Sequence, residues 1–192
     1  MKKGKLKIYL FRHGQTYYNK NHVFTGFKDS KLTPLGIKQA KVIAKKLKDK
    51  KFEVAYYTRL SRSKDTLKEV LRFHPECKRL IKEDRMIERS YGKLSGTHHS
   101  TVVRKLGQEQ YDIWHRSFGI RPPSGESFAD VKKRVKPFIE DLKKFMKKNQ
   151  VSVAISAHGN SIRLFRHILE GTSEEETCSW FIPYDKVFVY EL

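Results

Sequence analysis

Short apolar runs alternate with amphipathic stretches along the chain, and this alternation limits the possible folds more than any other feature. The run 6–11 interleaves leucine and isoleucine with tyrosine and phenylalanine, which is typical of a strand buried on both faces. Further strands are predicted at 53–58, within 79–87, at 151–156 and at 186–192. Strands that alternate with helices indicate a parallel-rich sheet covered on both sides.

The stretches between these strands have the apolar spacing of helices. The clearest are 32–47, 61–73, 128–146 and 160–171. Residues that typically begin, bend or end a helix accompany them: Thr33 and Ser127 at N-caps, Pro34 in a first turn, Pro137 inside the third helix and Gly171 at a C-terminus. We therefore expect an α/β fold, a three-layer sandwich with a parallel-rich central sheet between helical layers.

Chain length and composition suit one domain, 1–192, with a small helical cap excursion at about 97–125. Two short helices are expected within that excursion, before the turn-forming stretch RPPSG. No apolar run has the length of a membrane span, and the N-terminal residues MKKGKLKIYL lack a signal-peptide core. Cys77 and Cys178 lie far apart, so we expect free thiols in a reducing cytoplasm and no disulfide.

The formal net charge of +20 predicts attraction to anions, from nucleic acids to small phosphorylated molecules. The lysines are dispersed at helical spacing over 41–51 and 132–148, which favours solvated helix faces over one binding surface. A polyanion-binding or nucleic-acid-binding protein stays a remote alternative, because the chain contains no recognised nucleic-acid motif. Small phosphorylated substrates are the favoured ligands.

Two histidines follow predicted strands in matching contexts, and each precedes a glycine. They are His13 in the triplet RHG and His158 in AHG. In open parallel sheets, ligands bind beyond the carboxyl ends of the strands, so both histidines should face one crevice. An imidazole can act as a covalent nucleophile, and a phosphoryl group under attack needs cations around it. Arg12, beside His13, and Arg62, which follows the second strand, are the candidate cations, although Arg62 taken alone is better explained as an exposed arginine at a helix start.

A leaving oxygen needs a proton, and a carboxyl group can supply it. Glu88, in the polar and glycine-rich stretch IERSYGKLSG, is a candidate. From the residues alone, Glu83 and Asp84 are nearly as good, and the choice among the three stays open.

An ordered set of motifs resembles the histidine phosphatase superfamily, most closely its cofactor-dependent phosphoglycerate mutases. The motifs are FRHGQTYYNKNHVFTGF, TRLSRSKDT, IERSYGKLSG, GQEQYDIWHRSFGIRPP, GESF and SAHGNSIR, in that order over nearly the whole chain. The resemblance implies a phosphoglycerate mutase-like fold. It also implies a phosphohistidine enzyme that interconverts 3- and 2-phosphoglycerate, with 2,3-bisphosphoglycerate as phosphoryl primer and no metal, as a monomer or homodimer with no membrane partner.

The same resemblance implies a role for each matching residue. His13 would be the phosphorylated nucleophile and Glu88 the proton donor and acceptor, with Arg12, Arg62 and His158 forming the phosphate pocket. Substrate would be bound by the remaining matches: Asn19, Thr25, Gly26, Arg89, Tyr91, His99, His115, Arg116, Gly159 and Asn160. The adjacent His98 and His99 have no carboxylate or cysteine at metal-ligand spacing, so we expect no metal there.

The chain departs from the mutase pattern in three ways. His99 stands where the mutases usually have a lysine, and His115 stands where they have the first of two arginines. Imidazoles charged only at mildly acidic pH would make substrate affinity fall as pH rises. The segment near Pro123 is short and no tail follows the last strand, which would admit water more easily. A broad-specificity phosphomonoesterase using the same site is therefore the alternative.

Overall fold

The computed structural model describes residues 5–192. Residues 1–4, which belong to the expected 1–192 domain and to the stretch MKKGKLKIYL, lie outside the described residues. The strands are β1 Lys7–Arg12, β2 Val54–Tyr57, β3 Arg79–Lys82, β4 Val153–Ala157 and β5 Val187–Glu191. The helices are α1 Tyr17–Lys20, α2 Pro34–Leu47, α3 Ser61–Leu71, α4 His99–Leu106, α5 Gln108–Arg116, α6 Phe128–Asn149, α7 Gly159–Glu170 and α8 Glu174–Ser179. Two 3-10 turns, Asp84–Met86 and Gly92–Leu94, lie between β3 and α4.

The strands form one sheet in the order β3-β2-β4-β1-β5. Every pairing is parallel except β1 with β5, which is antiparallel. The expectation of a parallel-rich sheet is therefore confirmed. In the central pair, Leu10 lies opposite Ile155 and Arg12 opposite Ala157, so β1 and β4 end side by side.

Side chains of β1 point alternately into two cores, one on each face of the sheet. Ile8 and Leu10 belong to a core that includes α6 and α7, whereas Tyr9 and Phe11 pack with α2 and α3. All four side chains are buried, which confirms a strand enclosed on both faces. The two cores place helices on both sides of the sheet, as the three-layer prediction requires.

Helix boundaries follow the predicted capping residues. The Thr33 hydroxyl accepts a hydrogen bond from the Gly36 amide, and Ser127 accepts one from Asp130, each satisfying a free N–H of a first turn. Gly171 ends α7 in the left-handed conformation. Pro137 lies inside α6 without ending it.

Two helices are absent from the sequence prediction, α1 and α8. α1 has four residues, none of them buried, and so presents no apolar stripe to detect. α8 has a recognisable start, since the Ser173 hydroxyl caps it and three glutamates occupy its first turn. That charge pattern is the signal that could have identified α8.

The cap consists of α4 and α5, the two short helices expected there. A small separate cluster packs the cap against the rest of the fold; its buried residues are Phe24, Tyr91, Leu94 and Val102. Gly107 joins the two helices with φ +86°.

Cys77 and Cys178 are buried free thiols, as expected. Within residues 5–192, no helix combines the length and apolar character of a bilayer span.

Candidate active site

The ends of β1 and β4 bring the two predicted histidines together. The His13 amide donates to the Ala157 carbonyl at 3.0 Å, which continues the ladder one residue past β1. The His13 and His158 ring centroids are 5.0 Å apart, and both side chains are buried. The two strand ends therefore place both imidazoles side by side, as predicted.

A single hydrogen bond sets the tautomer of His13. Its Nδ1 lies 2.7 Å from the Gly14 carbonyl oxygen, which can only accept, so Nδ1 carries the proton and Nε2 keeps its lone pair. Burial, then the charges of Arg62 and Arg12, hold the pKa of His13 well below its ordinary value. The imidazole is therefore neutral and nucleophilic at neutral pH.

Gly14 is required where it stands because β1 passes close to the start of α2. A Cβ at this position would lie 2.1 Å from the Gly36 carbonyl oxygen. The Gly14 amide instead donates to the Thr66 hydroxyl at 3.0 Å. These contacts hold the backbone beside the nucleophile in place.

His158 is anchored on one side only. Its Nε2 lies 2.8 Å from the Thr58 hydroxyl, and its Nδ1 is buried without a hydrogen-bond partner among residues 5–192. Burial is the first cause that lowers its pKa well below the usual value, followed by the charge of Arg62. Since buried polar atoms are normally paired, the free Nδ1 is suited to a ligand atom.

Two arginines converge beside these rings. Arg62 is only 1% exposed, and its Nη1 and Nη2 donate to the carbonyls of Lys28 and Gly26 at 2.9 Å each. Burial lowers its pKa to about 10, so it stays cationic at neutral pH. The interpretation of Arg62 as an exposed residue at a helix start is therefore wrong.

Arg12 donates through Nη1 to the Ile182 carbonyl at 2.8 Å, while its buried Nε has no partner among the described residues. The first turn of α7 begins at Gly159 beside it, and a helix N-terminus attracts anions. Unpaired donors, two guanidinium groups and a helix start together fit an anion such as a phosphoryl group.

The structure separates the three candidate carboxylates. Glu83 is paired with Arg85 and Asp84 with Arg59, and neither lines the cleft. Glu88 lines it, and its Oε1 accepts from the amides of Arg89 at 2.8 Å and Asn160 at 3.1 Å. Two backbone donors orient this carboxyl group, and Oε2 has no hydrogen-bond partner within residues 5–192.

These groups line a cleft of about 280 Å³ between the sheet edge and the cap. The predicted residues on its wall are Arg12, His13, Asn19, Thr25, Gly26, Arg62, Glu88, Tyr91, His99, His115, Arg116, Gly159 and Asn160. His158 is fully buried next to His13 and does not line the cleft. Arg89 does not line it either.

Arg89 is fully buried behind the cleft wall. Its Nη2 donates to the carbonyls of Trp114 and His115 at the end of α5, and its guanidinium stacks 4.6 Å from the ring centre of Tyr91. These contacts connect Arg89 to the end of α5, while its Nε and Nη1 are buried without a hydrogen-bond partner among residues 5–192.

The cap side of the cleft carries neutral imidazoles. Burial, followed by neighbouring histidines, lowers the pKa of His99 to about 4, and burial followed by Arg116 lowers that of His115 to about 2. The expectation that both imidazoles become charged at mildly acidic pH is therefore wrong, because both stay neutral there. Both rings pack around Phe24, at 4.1 Å and 5.9 Å between centroids, which leaves little water to solvate a proton's charge.

Several lining residues were not singled out from the sequence. They are Tyr18, His22, Val23, Phe24, Arg163, Phe181, Ile182 and Tyr184. All but the last three lie inside the quoted motifs, so their position there is a usable signal. Phe181, Ile182 and Tyr184 belong to an irregular segment before β5 that no motif marks.

Comparison with known proteins agrees with this geometry. Residues 8–191 match the family model described as Histidine phosphatase superfamily (branch 1). The 2,3-bisphosphoglycerate-dependent phosphoglycerate mutase of Bartonella henselae is 40% identical over 176 residues, covering 90% of this chain and 85% of that protein. The phosphoglycerate mutase of Schizosaccharomyces pombe is 36% identical over 190 residues, covering 96% and 89%.

Among solved structures, a putative alpha-ribazole-5'-P phosphatase from Escherichia coli has the same fold. It superposes with a TM-score of 0.84 at 22% identity, over 98% of this chain and 91% of the other. With the family match over nearly the full length and the histidine pair in place, this chain belongs to the histidine phosphatase superfamily, as an enzyme of the mutase or phosphatase kind.

Proposed function

We propose that this protein is a phosphoglycerate mutase that interconverts 3- and 2-phosphoglycerate through a phosphohistidine at His13, primed by 2,3-bisphosphoglycerate, in the cytoplasm. The observation that carries the proposal is the buried, neutral His13, with Nδ1 bound to Gly14 and Nε2 free, between two arginines. The mutases of Bartonella henselae and Schizosaccharomyces pombe, at 40% and 36% identity, support this choice of reaction.

In the first step, Nε2 of His13 attacks phosphorus as the bond from phosphorus to the ester oxygen breaks. Arg12 and Arg62 balance the charge that spreads over the phosphoryl oxygens, which is the main source of stabilisation in such transfers. When the Thr58 hydroxyl donates to Nε2 of His158, the proton of that imidazole sits on Nδ1 and can bond a phosphoryl oxygen.

Glu88 handles the proton. Its carboxyl group protonates the departing ester oxygen, and its carboxylate takes a proton from the accepting hydroxyl when the phosphoryl group is transferred back. Because its Oε1 is held by two amides, the other oxygen is the one that faces the substrate.

Arg116 holds the carboxylate of phosphoglycerate. Its Nη1 donates to the Cys178 carbonyl at 3.0 Å, which fixes the guanidinium on the wall of the cleft. Asn19, Thr25, Gly26, Tyr91, Gly159 and Asn160 complete the wall and bind the remaining substrate oxygens.

A broad-specificity phosphomonoesterase is the second candidate, and the neutral His99 and His115 favour it. With uncharged rings on the cap side, the cleft selects less strongly for a second anionic group. The Escherichia coli neighbour with the same fold is described as a phosphatase.

The test follows phosphorus from labelled 2,3-bisphosphoglycerate and measures conversion of 3-phosphoglycerate with and without a catalytic amount of it. Conversion that depends on the primer is expected. Release of inorganic phosphate as the sole product, together with comparable hydrolysis of p-nitrophenyl phosphate, would reject the mutase in favour of the esterase.

His13→Ala tests the nucleophile. We expect it to abolish both turnover and acid-labile labelling of the protein, because no other lining imidazole lies between the two arginines. His98→Ala, which removes a histidine outside the cleft, is the matched control and should label normally. Label that persists on the His13→Ala protein would refute the assignment.

A further inference from the structure

The segment 180–185, between α8 and β5, borders the cleft next to the nucleophile. Its backbone is held by two arginines of the site: the Trp180 carbonyl accepts from Arg163 Nε at 2.9 Å, and the Ile182 carbonyl accepts from Arg12 Nη1 at 2.8 Å. Phe181, Ile182 and Tyr184 all line the cleft. The segment is thus fastened directly to the phosphoryl-binding end.

Two aromatic rings of this segment cover the cation beside His13. The Tyr184 ring centre lies 4.0 Å from Arg12 Cζ and 6.4 Å from the His13 ring centre. The Phe181 ring centre lies 5.9 Å from Arg12 Cζ and 6.3 Å from that of Tyr184. Together they form an aromatic cover over one side of the phosphoryl pocket.

Phe181 is an unusually exposed aromatic residue at the edge of the cleft. The ring is 66% exposed, although an aromatic side chain normally gains by burial. Nearby, the guanidinium of Arg12 is satisfied on Nη1 and faces Tyr184, so the cover contributes contact with a cation as well as apolar surface. An apolar ring at the cleft wall also displaces water that would otherwise reach the reacting atoms.

We propose that Tyr184, assisted by Phe181, keeps water from the phosphorylated His13 and so sets the partition of the phosphoryl group between phosphoglycerate and water. This inference rests on the proposed function, because it needs a phosphohistidine at His13. Tyr184 is a specificity-determining residue in this account, and it takes no part in proton transfer.

The reaction that the cover suppresses is hydrolysis of the phosphoenzyme. A water oxygen bonds to phosphorus, the bond from phosphorus to Nε2 of His13 breaks, and its electron pair returns to Nε2. One water proton passes to the Glu88 carboxylate, and inorganic phosphate leaves. Productive transfer differs only in the attacking oxygen, which belongs to phosphoglycerate, so restricting water changes the product ratio without changing the chemistry.

The experiment measures the half-life of labelled phosphoenzyme after excess donor is removed, with no acceptor present. Tyr184→Ala should shorten that half-life by about tenfold or more, since access of water is gated by such covers. Tyr184→Phe, which keeps the ring, should stay within about twofold of the unmodified protein, as should Phe73→Ala, which removes another half-exposed ring far from the cleft. Phe181→Ala should also shorten the half-life, and because the ring is 66% exposed, its removal leaves the core intact.

A second readout separates water exclusion from a structural role. The rate at which the phosphoenzyme forms should change by no more than about threefold in Tyr184→Ala, while phosphate release per mutase turnover rises. Two results would overturn this inference while leaving the proposed function intact. One is a wild-type half-life in both alanine variants, and the other is a formation rate and a half-life that fall by the same factor. Absence of any phosphohistidine on the unmodified protein would overturn the proposed function and this inference together.

Discussion

At the scale of single residues, Glu88 differs from neighbouring carboxylates in what its oxygens contact. Two backbone amides hold Oε1, and an amide oxygen could accept the same bonds. Glu88→Gln should therefore keep the fold and the shape of the cleft while removing the transferable proton. We expect kcat to fall by about 10²- to 10⁴-fold, the range attributed to general acid–base catalysis, as measured by steady-state mutase assay.

Glu83→Gln is the matched control, because Glu83 lies five residues earlier and pairs with Arg85 away from the cleft. Its kcat should stay within about twofold of the unmodified protein. Equal losses in both variants would remove Glu88 from the mechanism.

His99→Lys tests whether a second cation on the cap side of the cleft, in addition to Arg116, strengthens substrate binding. His99 is neutral near pH 7, since burial lowers its pKa to about 4. A lysine there should strengthen binding of phosphoglycerate near pH 8, and also near pH 6, because the imidazole it replaces is uncharged at both. The KM for 3-phosphoglycerate at the two pH values is the measurement; an unchanged or higher KM would mean that position 99 does not face the substrate.

Residue roles were predictable only where a motif fixes the surroundings. The pair His13 and His158 followed from two strand ends. The choice of Glu88 over Glu83 and Asp84 did not, because it depends on contacts between separate parts of the chain: Asp84 pairs with Arg59, whereas Glu88 accepts a hydrogen bond from the Asn160 amide. The low pKa values of His99 and His115 could not be predicted from the sequence either, because they come from burial in a cluster that forms only on folding.

At the scale of elements, the cap depends on the joint between α4 and α5. Gly107 adopts φ +86° and ψ 161°, a region that is essentially restricted to glycine. A Cβ there would meet no atom within 4 Å, so any effect of Gly107→Ala comes from backbone strain alone. We expect a loss of about 1–3 kcal/mol, concentrated in the cap, seen as faster limited proteolysis between the two helices and a raised KM.

Gly119→Ala is the matched control for this substitution. Gly119 lies in the same excursion, also has open space around its Cα, and has no left-handed φ. It should leave proteolysis and KM essentially unchanged. Similar behaviour of the two alanine variants would contradict the role given to the joint.

Element prediction succeeded where burial imposes a period. α2 and α6 present apolar residues at every turn because each covers one face of the sheet. α1 buries no residue and the segment 180–185 is irregular, so neither has a periodic apolar pattern in the sequence. The segment nevertheless borders the cleft. Sequence patterns therefore located the scaffold better than the loops that shape the site.

At the scale of the whole molecule, stability should decline in mild acid. Five histidines have lowered pKa values, all with burial as the first cause: His13, His99, His115, His158 and His167. Below the ordinary histidine pKa of about 6.5, these histidines bind protons in the unfolded chain but stay neutral in the folded chain. The free energy of unfolding therefore falls as pH falls.

Urea denaturation at about pH 7.5 and about pH 5.5 measures this effect, which should appear as a lower free energy of unfolding at the acidic value. His115→Gln, which removes one of the five titrating groups, should reduce the difference. Equal stability at both pH values would show that these imidazoles are protonated freely in the folded protein.

The ladder between β1 and β4 has a consequence for how the enzyme can move. Because the amide of His13 is bonded to Ala157, one residue before His158, moving the backbones of the two histidines apart requires breaking the hydrogen bonds at the centre of the sheet. We expect that opening to have a high free-energy cost, and the cap, which packs through its own small cluster, to open at a lower one. A movement of the cap that admits substrate and releases product therefore leaves His13 and His158 in register.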